Sequence, residues 1–318
     1  MFYIDQSLPS FDLAKNEHFS NVRYIIKKKL LGELFTEPAP KGCIHRISKL
    51  KLVEPDVFAF LDDEINLKKV IIGLPVVLDG IKDKFKDEKS IKCLKTVFKY
   101  DAFISKDKKG AFHFYNAYHL ANNLRQDVCV YCNRLYTNTV ITKKGDYVAR
   151  PTFDHWLPKA KYPLFGLSFF NLVPSCSICN TSIKGSDAYS ISSIFHPYSK
   201  NDDVNEQLEF RFSFTLADAF AAESKIIADN EFTERSIRAM KLREIYSAHT
   251  EEIRDLIYLK KAYSEAYLDS LRILLKSPLS TSEIYRLAFG SYHEDELLHK
   301  RPLSKLKRDI LKELGIIA

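Results

Sequence analysis

The sequence predicts an α+β protein in which a strand-rich, cysteine-bearing centre is flanked by a mixed N-terminal region and a mainly helical C-terminal region. Three observations lead there. Apolar residues recur at helical spacing beyond Thr233, with Ile237, Met240, Ile253, Leu256, Ile257, Tyr263 and Tyr267 on shared faces. Leu208, Phe210, Phe212, Phe214 and Leu216 alternate with polar residues, the period of a half-buried strand. Between them and the N-terminal helical pattern, residues 129–198 hold Gly145 and several prolines, marking turns between short strands.

Taken in order, residues 20–34 with their KKKLL cluster predict a helix. A short apolar stretch follows at residues 70–78, broken by Gly73 and Pro75. No repeat, phosphate-binding glycine loop or catalytic pattern occurs in this region, so 1–120 is taken as an N-terminal segment without an assigned role. A second helix is predicted over 112–124, leading into the first cysteine pair, and the central domain is placed at 121–202. The third domain, 203–318, opens with the alternating strand and continues as helices. Ser280 and Glu283 form a capping-box pattern for a helix stopping near Gly290. A basic amphipathic helix is predicted over 303–314.

With 46% hydrophobic residues the chain can bury packed cores. The opening MFYIDQSLPSFD has an acidic residue and no apolar core run, so a secretory leader is not expected. The longest apolar run is far short of the roughly 20 residues of a membrane span, and a cytoplasmic location is expected. The net charge of +7 is unevenly spread. Residues 101–200 carry 12 Lys/Arg against 6 Asp/Glu, whereas 201–250 carry 6 against 10. A basic centre is what a phosphate-binding surface needs, although the same lysines could be an ordinary solvated loop around Lys143 and Lys144.

Four of the six cysteines form two CxxC pairs, Cys129 with Cys132 and Cys176 with Cys179, while Cys43 and Cys93 stand alone. In a reducing compartment such pairs suggest zinc before disulfides. Two knuckles separated by 43 residues can close one tetrahedral site. Four cysteines leave no open coordination position, so a structural Zn2+ is expected.

Around the second pair, residues 153–185 read FDHWLPKAKYPLFGLSFFNLVPSCSICNTSIKG. An Asp-His pair is followed sixteen residues on by Asn-Leu, then by Cys-x-x-Cys-Asn and a Lys. This order resembles the HNH (ββα-metal) endonuclease superfamily in its zinc-ribbon form, over about residues 127–198. The resemblance implies a ββα-metal motif in which His155 is the general base and Asp154 a ligand of a catalytic Mg2+ or Mn2+ ion. Asn180, at a position where many relatives carry His, would be the second ligand. Asn171 would hydrogen-bond across the loop to hold the His-bearing strand. Lys184, four residues after Asn180 and on the same helical face, reads as a phosphate contact or a solvated lysine. Trp156, Tyr162 and Phe165 are expected to pack the loop. His196 offers either a brace for the metal site or a structural histidine. The implied activity is phosphodiester hydrolysis in DNA, and the likeness to stand-alone HNH effectors of bacterial anti-phage systems implies an ATPase as partner. Two alternatives stay open: a zinc-ribbon nucleic-acid-binding or scaffold protein with an inactive site, and an RNase toxin.

Overall fold

The computed structural model describes residues 1–107, 109–185, 187, 189–199, 207–216, 222–262, 270, 273 and 280–317. Among them the chain is helical with small antiparallel sheets, an α+β arrangement. Tyr263 and Tyr267, assigned above to a helix face, lie outside the described residues.

The first helix, α1 (Pro9–Leu31), starts earlier than the sequence pattern suggested. Pro9 takes a first-turn position, where its missing N–H costs nothing. Gly32 ends the helix at φ 63°, and a Cβ there would meet Lys49 Cβ at 3.0 Å. Ala14, Val22, Ile25, Ile26 and Leu30 are buried along it. Short helices follow: α2 (Pro55–Asp62), α3 (Glu64–Ile72), α4 (Pro75–Ile81), α5 (Glu88–Val97) and α6 (Tyr100–Ile104). The apolar stretch at 70–78 is divided between α3 and α4 because Pro75 can begin a helix but not continue one. Helix α7 (Ala117–Leu124) begins only after Asn116, whose side chain and that of His119 form a capping box.

Three two-stranded antiparallel pairs follow. Strands β1 (Val140–Ile141) and β2 (Tyr147–Ala149) flank the turn at Gly145. Strand β3 (Thr152–His155) pairs with β4 (Leu172–Ser175), with Asp154 opposite Val173 and His155 opposite Leu172. A π-helical segment, Ile178–Lys184, comes directly after β4. Strand β5 (Phe210–Leu216) falls on the predicted alternating run and pairs with β6 (Ala222–Ala228).

The C-terminal part contains α8 (Glu231–Ala239), α9 (Leu242–Tyr246), α10 (Thr250–Ala262), α11 (Thr281–Phe289) and α12 (Ser304–Glu313). Helix α11 has the Ser280–Glu283 capping box and a left-handed Gly290 at its end. Helices α10 and α12 pack on the β5–β6 pair. One contiguous apolar core joins all three parts of the chain, from Phe11 and Ile25 through Phe165 and Phe169 to Tyr246 and Ile310. Among the described residues no helix is long and apolar enough to cross a membrane.

Candidate metal centre and the adjoining histidine site

Val128 and Tyr136 bridge across the first CxxC turn, and Asn133 adopts φ 53° to close it, donating its N–H to the Cys129 carbonyl at 2.8 Å. The second pair leaves the end of β4, where Asn180 N–H donates to the Cys176 carbonyl at 3.0 Å. All four cysteines are buried, and their sulfurs lie within 4.8 Å of one another. A Zn–S bond of about 2.3 Å implies tetrahedral edges of about 3.8 Å. The Cys132–Cys176 separation of 3.9 Å matches that edge. Burial holds the Cys129 thiol well above its ordinary range, so a thiolate there calls for a neighbouring cation. The buried tetrad could therefore bind a structural zinc ion.

This cluster is tied directly to the Asp-His pair. Tyr131 lies inside the first CxxC and donates its hydroxyl to Asp154 Oδ2 at 2.7 Å. From the second knuckle, the π-helical segment carries Lys184, whose Nζ lies 3.2 Å from Asp154 Oδ1 and donates to the His155 carbonyl at 2.9 Å. Lys184 and Asp154 are only 1% and 2% exposed. The lysine expected at the surface thus turns inward, because the carboxylate beneath it is buried and needs a counter-charge. Burial raises the Asp154 pKa, even though Lys184 and the Tyr131 hydroxyl both pull it down.

His155, at the end of β3, has Nε2 at 3.0 Å from the Gly166 carbonyl. A carbonyl can only accept, so Nε2 carries the proton and Nδ1 keeps a lone pair. Tyr100, from α6, sets its ring against the imidazole at 4.4 Å and 78°, an edge contact. Burial lowers the His155 pKa to about 4, helped by Lys159 and Lys184 and opposed by the Gly166 carbonyl.

The intervening loop is held by Asn171. Its Oδ1 accepts from Leu157 N–H at 2.7 Å, and its Nδ2 donates to the carbonyls of Leu157 and Phe165, each at 3.1 Å. The next carbonyl but one, that of Leu167, accepts from buried His18 Nε2 at 2.8 Å, so α1 also braces the loop. Trp156, Tyr162 and Phe165 are buried. His196 packs against Trp156 at 4.6 Å, and its Nδ1 accepts from Tyr198 N–H at 3.2 Å. Asn180 is half-buried, and its amide has no hydrogen-bond partner among the described residues.

The structure thus brings together Asp154, His155 and Lys184, with Asn171 bracing the loop and Asn180 on the same helical segment as Lys184. Sequence reasoning missed Tyr131, Tyr100 and the Gly166 carbonyl. Tyr131 had one available signal, its position within a CxxC. The other two depend on tertiary packing that no local pattern encodes.

Fold and site define an α+β protein with a buried cysteine tetrad suited to zinc beside a buried Asp-His-Lys cluster. No known protein family profile matches the chain, and no solved structure does. Protein ea31 of Escherichia phage lambda is 39% identical over 61 residues, a stretch covering 18% of this chain and 20% of that protein. The chain therefore matches only about a fifth of that relative's length.

Proposed function

We propose that the protein is a metal-dependent endonuclease of the HNH, ββα-metal type, hydrolysing phosphodiester bonds in DNA. The observation that carries this reading is the state of His155. Its Nε2–H is fixed on the Gly166 carbonyl, and Nδ1 is left as a base, at the end of a strand that pairs with β4 and is followed by the zinc-knuckle helix. A neutral imidazole with one defined lone pair suits proton abstraction from an attacking water.

The residues present fit a divalent ion. Asp154 is a buried carboxylate with Tyr131 on Oδ2 and Lys184 near Oδ1, and each oxygen can accept a further contact. Asn180 has an amide oxygen without a partner among the described residues, and carboxylate with amide oxygen favours Mg2+ or Mn2+. Asp154 and Asn180 would hold the ion, which when bound would offset charge developing on the phosphate. In this reading His155 Nδ1 receives the proton of the water. Tyr131 and Lys184 fix the carboxylate. Asn171 keeps the loop, and with it the Gly166 carbonyl, in place. The structural Zn2+ would lock the Tyr131 and Lys184 backbones relative to β3.

By the same resemblance we propose a cytoplasmic role as a bacterial defence effector, with an ATPase partner and with the flanking regions controlling access to the site. RNA is the competing substrate. Incubating zinc-loaded protein with plasmid, linear duplex, single-stranded DNA and RNA, with and without Mg2+ or Mn2+, separates these. A second reading has one observation in its favour: the Lys184 ammonium already stands on Asp154. A non-hydrolytic zinc protein that binds nucleic acid would show no metal-dependent cutting in any arm of that experiment.

A further inference from the structure

Outside the Asp-His cluster, two cations share one aromatic ring, with no ion-paired acid among the described residues. The Arg150 guanidinium lies 5.3 Å from the centre of the Tyr118 ring, and Lys106 Nζ lies 5.8 Å from it. Tyr147, from β2, stacks on Tyr118 at 4.5 Å and 18°, which leaves the other face of the ring for the cations. Among the described residues neither Arg150 nor Lys106 has a carboxylate within ion-pair distance. Arg150 makes one hydrogen bond, from Nη1 to its neighbour's carbonyl on Pro151 at 2.7 Å. Its Nε is buried with no partner among the described residues. Two like charges beside one ring repel each other and the Arg150 Nε–H lacks a partner, so an anion bound between them would be stabilised.

The position of the cluster says which anion. Successive residues of a strand point to opposite faces, so in β3 Phe153 and His155 share the face opposite to Asp154. Arg150 rests 6.0 Å from the Phe153 ring and so stands on the His155 side. Tyr100 connects the two, with its hydroxyl donating to the Phe153 carbonyl at 3.4 Å and its ring against the imidazole. Lys159 Nζ lies 4.5 Å from the same ring. Arg150 is thus linked to His155 through Phe153 and Tyr100, while Lys159, on the Tyr100 ring, is already paired with Asp101 at 3.1 Å. Arg150 precedes Asp154 by four positions, so even a fully extended chain holds their backbones within roughly 13 Å.

We propose that Arg150 and Lys106 form an anion site that grips a backbone phosphate of the nucleic-acid strand flanking the site of cleavage. This rests on the nuclease reading above. Tyr118 and Tyr147 act beneath the cations as a platform, and the site reads backbone charge rather than base sequence. Helix α7, from the region to which the sequence assigned no role, thereby supplies part of the substrate surface.

The test measures binding of a labelled DNA duplex and of one of its strands to full-length, zinc-loaded protein, without added Mg2+ or Mn2+, across a range of salt. The R150Q/K106Q variant should bind at least tenfold more weakly, with the salt dependence reduced by about one counterion. Its zinc content and Trp156 fluorescence should match wild type, which separates lost contact from lost fold. The K143Q/K144Q variant removes the same charge from the neighbouring β1–β2 turn and should weaken binding less. Equal losses in both variants, or no loss in either, would overturn the proposal, as would a wild-type protein that binds neither probe. Cleavage is scored separately. If wild type binds but never cuts and R150Q/K106Q loses binding, the anion site stands and the nuclease reading fails. If wild type cuts and R150Q/K106Q binds normally, the reverse holds.

Discussion

Removing the Asn171 side chain tests how the loop between β3 and β4 is held. Asn171→Ala deletes three buried hydrogen bonds, leaving Leu157 N–H and the carbonyls of Leu157 and Phe165 without their partner. An orphaned buried polar group costs about 1–3 kcal/mol, and water entering the space left by the amide offsets part of that. The expected loss is about 3–6 kcal/mol, a large share of the 5–15 kcal/mol typical of a folded domain. Guanidinium unfolding of zinc-loaded protein should show a lower midpoint with an unchanged slope. Because Gly166 follows Phe165 directly, the carbonyl that orients His155 should loosen too, and any nuclease activity should fall at temperatures where the variant is still folded. A loss below about 1 kcal/mol would refute the view that these bonds hold the loop.

Three further predictions follow from the same geometry. Cys176→Ala should lose zinc and stability together, since Tyr131 and the Lys184 segment hang from the two knuckles; elemental analysis that finds no zinc in folded wild type would contradict this. Lys184→Met should destabilise by about 3–5 kcal/mol by leaving Asp154 buried without its cation, and adding Asp154→Asn should recover part of the loss; a double-mutant cycle with no coupling would refute the pair. His18 and His155 are depressed to about 4 and His196 to about 3, each chiefly by burial. Below pH 6.5 the unfolded chain takes up protons that the folded chain refuses, so their stabilisation is complete above pH 6.5 and falls as pH drops towards 4. Thermal melts between those values should lose several kcal/mol in total; a flat profile there would contradict the burial of these rings.

What the sequence disclosed was mostly what is local. The CxxC pairs, the alternation that became β5 and the Ser280–Glu283 cap are short patterns with one dominant structural solution each. Strand β6 escaped notice because AESKIIA lacks period two, its strand state being set by pairing with β5. The N-terminal region was opaque for a similar reason. Its short helices α2 to α6 are too brief to show a clear periodicity, and the importance of Tyr100 and His18 lies in what they touch across the fold. At the site, Asp154, His155 and Asn171 stood out by order and spacing. The inward turn of Lys184 did not, because helical spacing fixes which face a side chain leaves from, and the buried carboxylate beside it decides where its charge ends. Charge counts marked residues 101–200 as basic, but only the shared Tyr118 ring separates Arg150 and Lys106 from the solvated lysines of the β1–β2 turn.

The most direct test of the central claim compares zinc-loaded wild type with His155→Ala on supercoiled plasmid in Mn2+, in Mg2+ and without added divalent ion. The account predicts that wild type nicks or linearises the plasmid only when the divalent ion is supplied. His155→Ala should retain zinc and bind the plasmid but leave it intact. Wild-type protein that cuts no nucleic acid under any of these conditions, or His155→Ala that cuts at the wild-type rate, would contradict it.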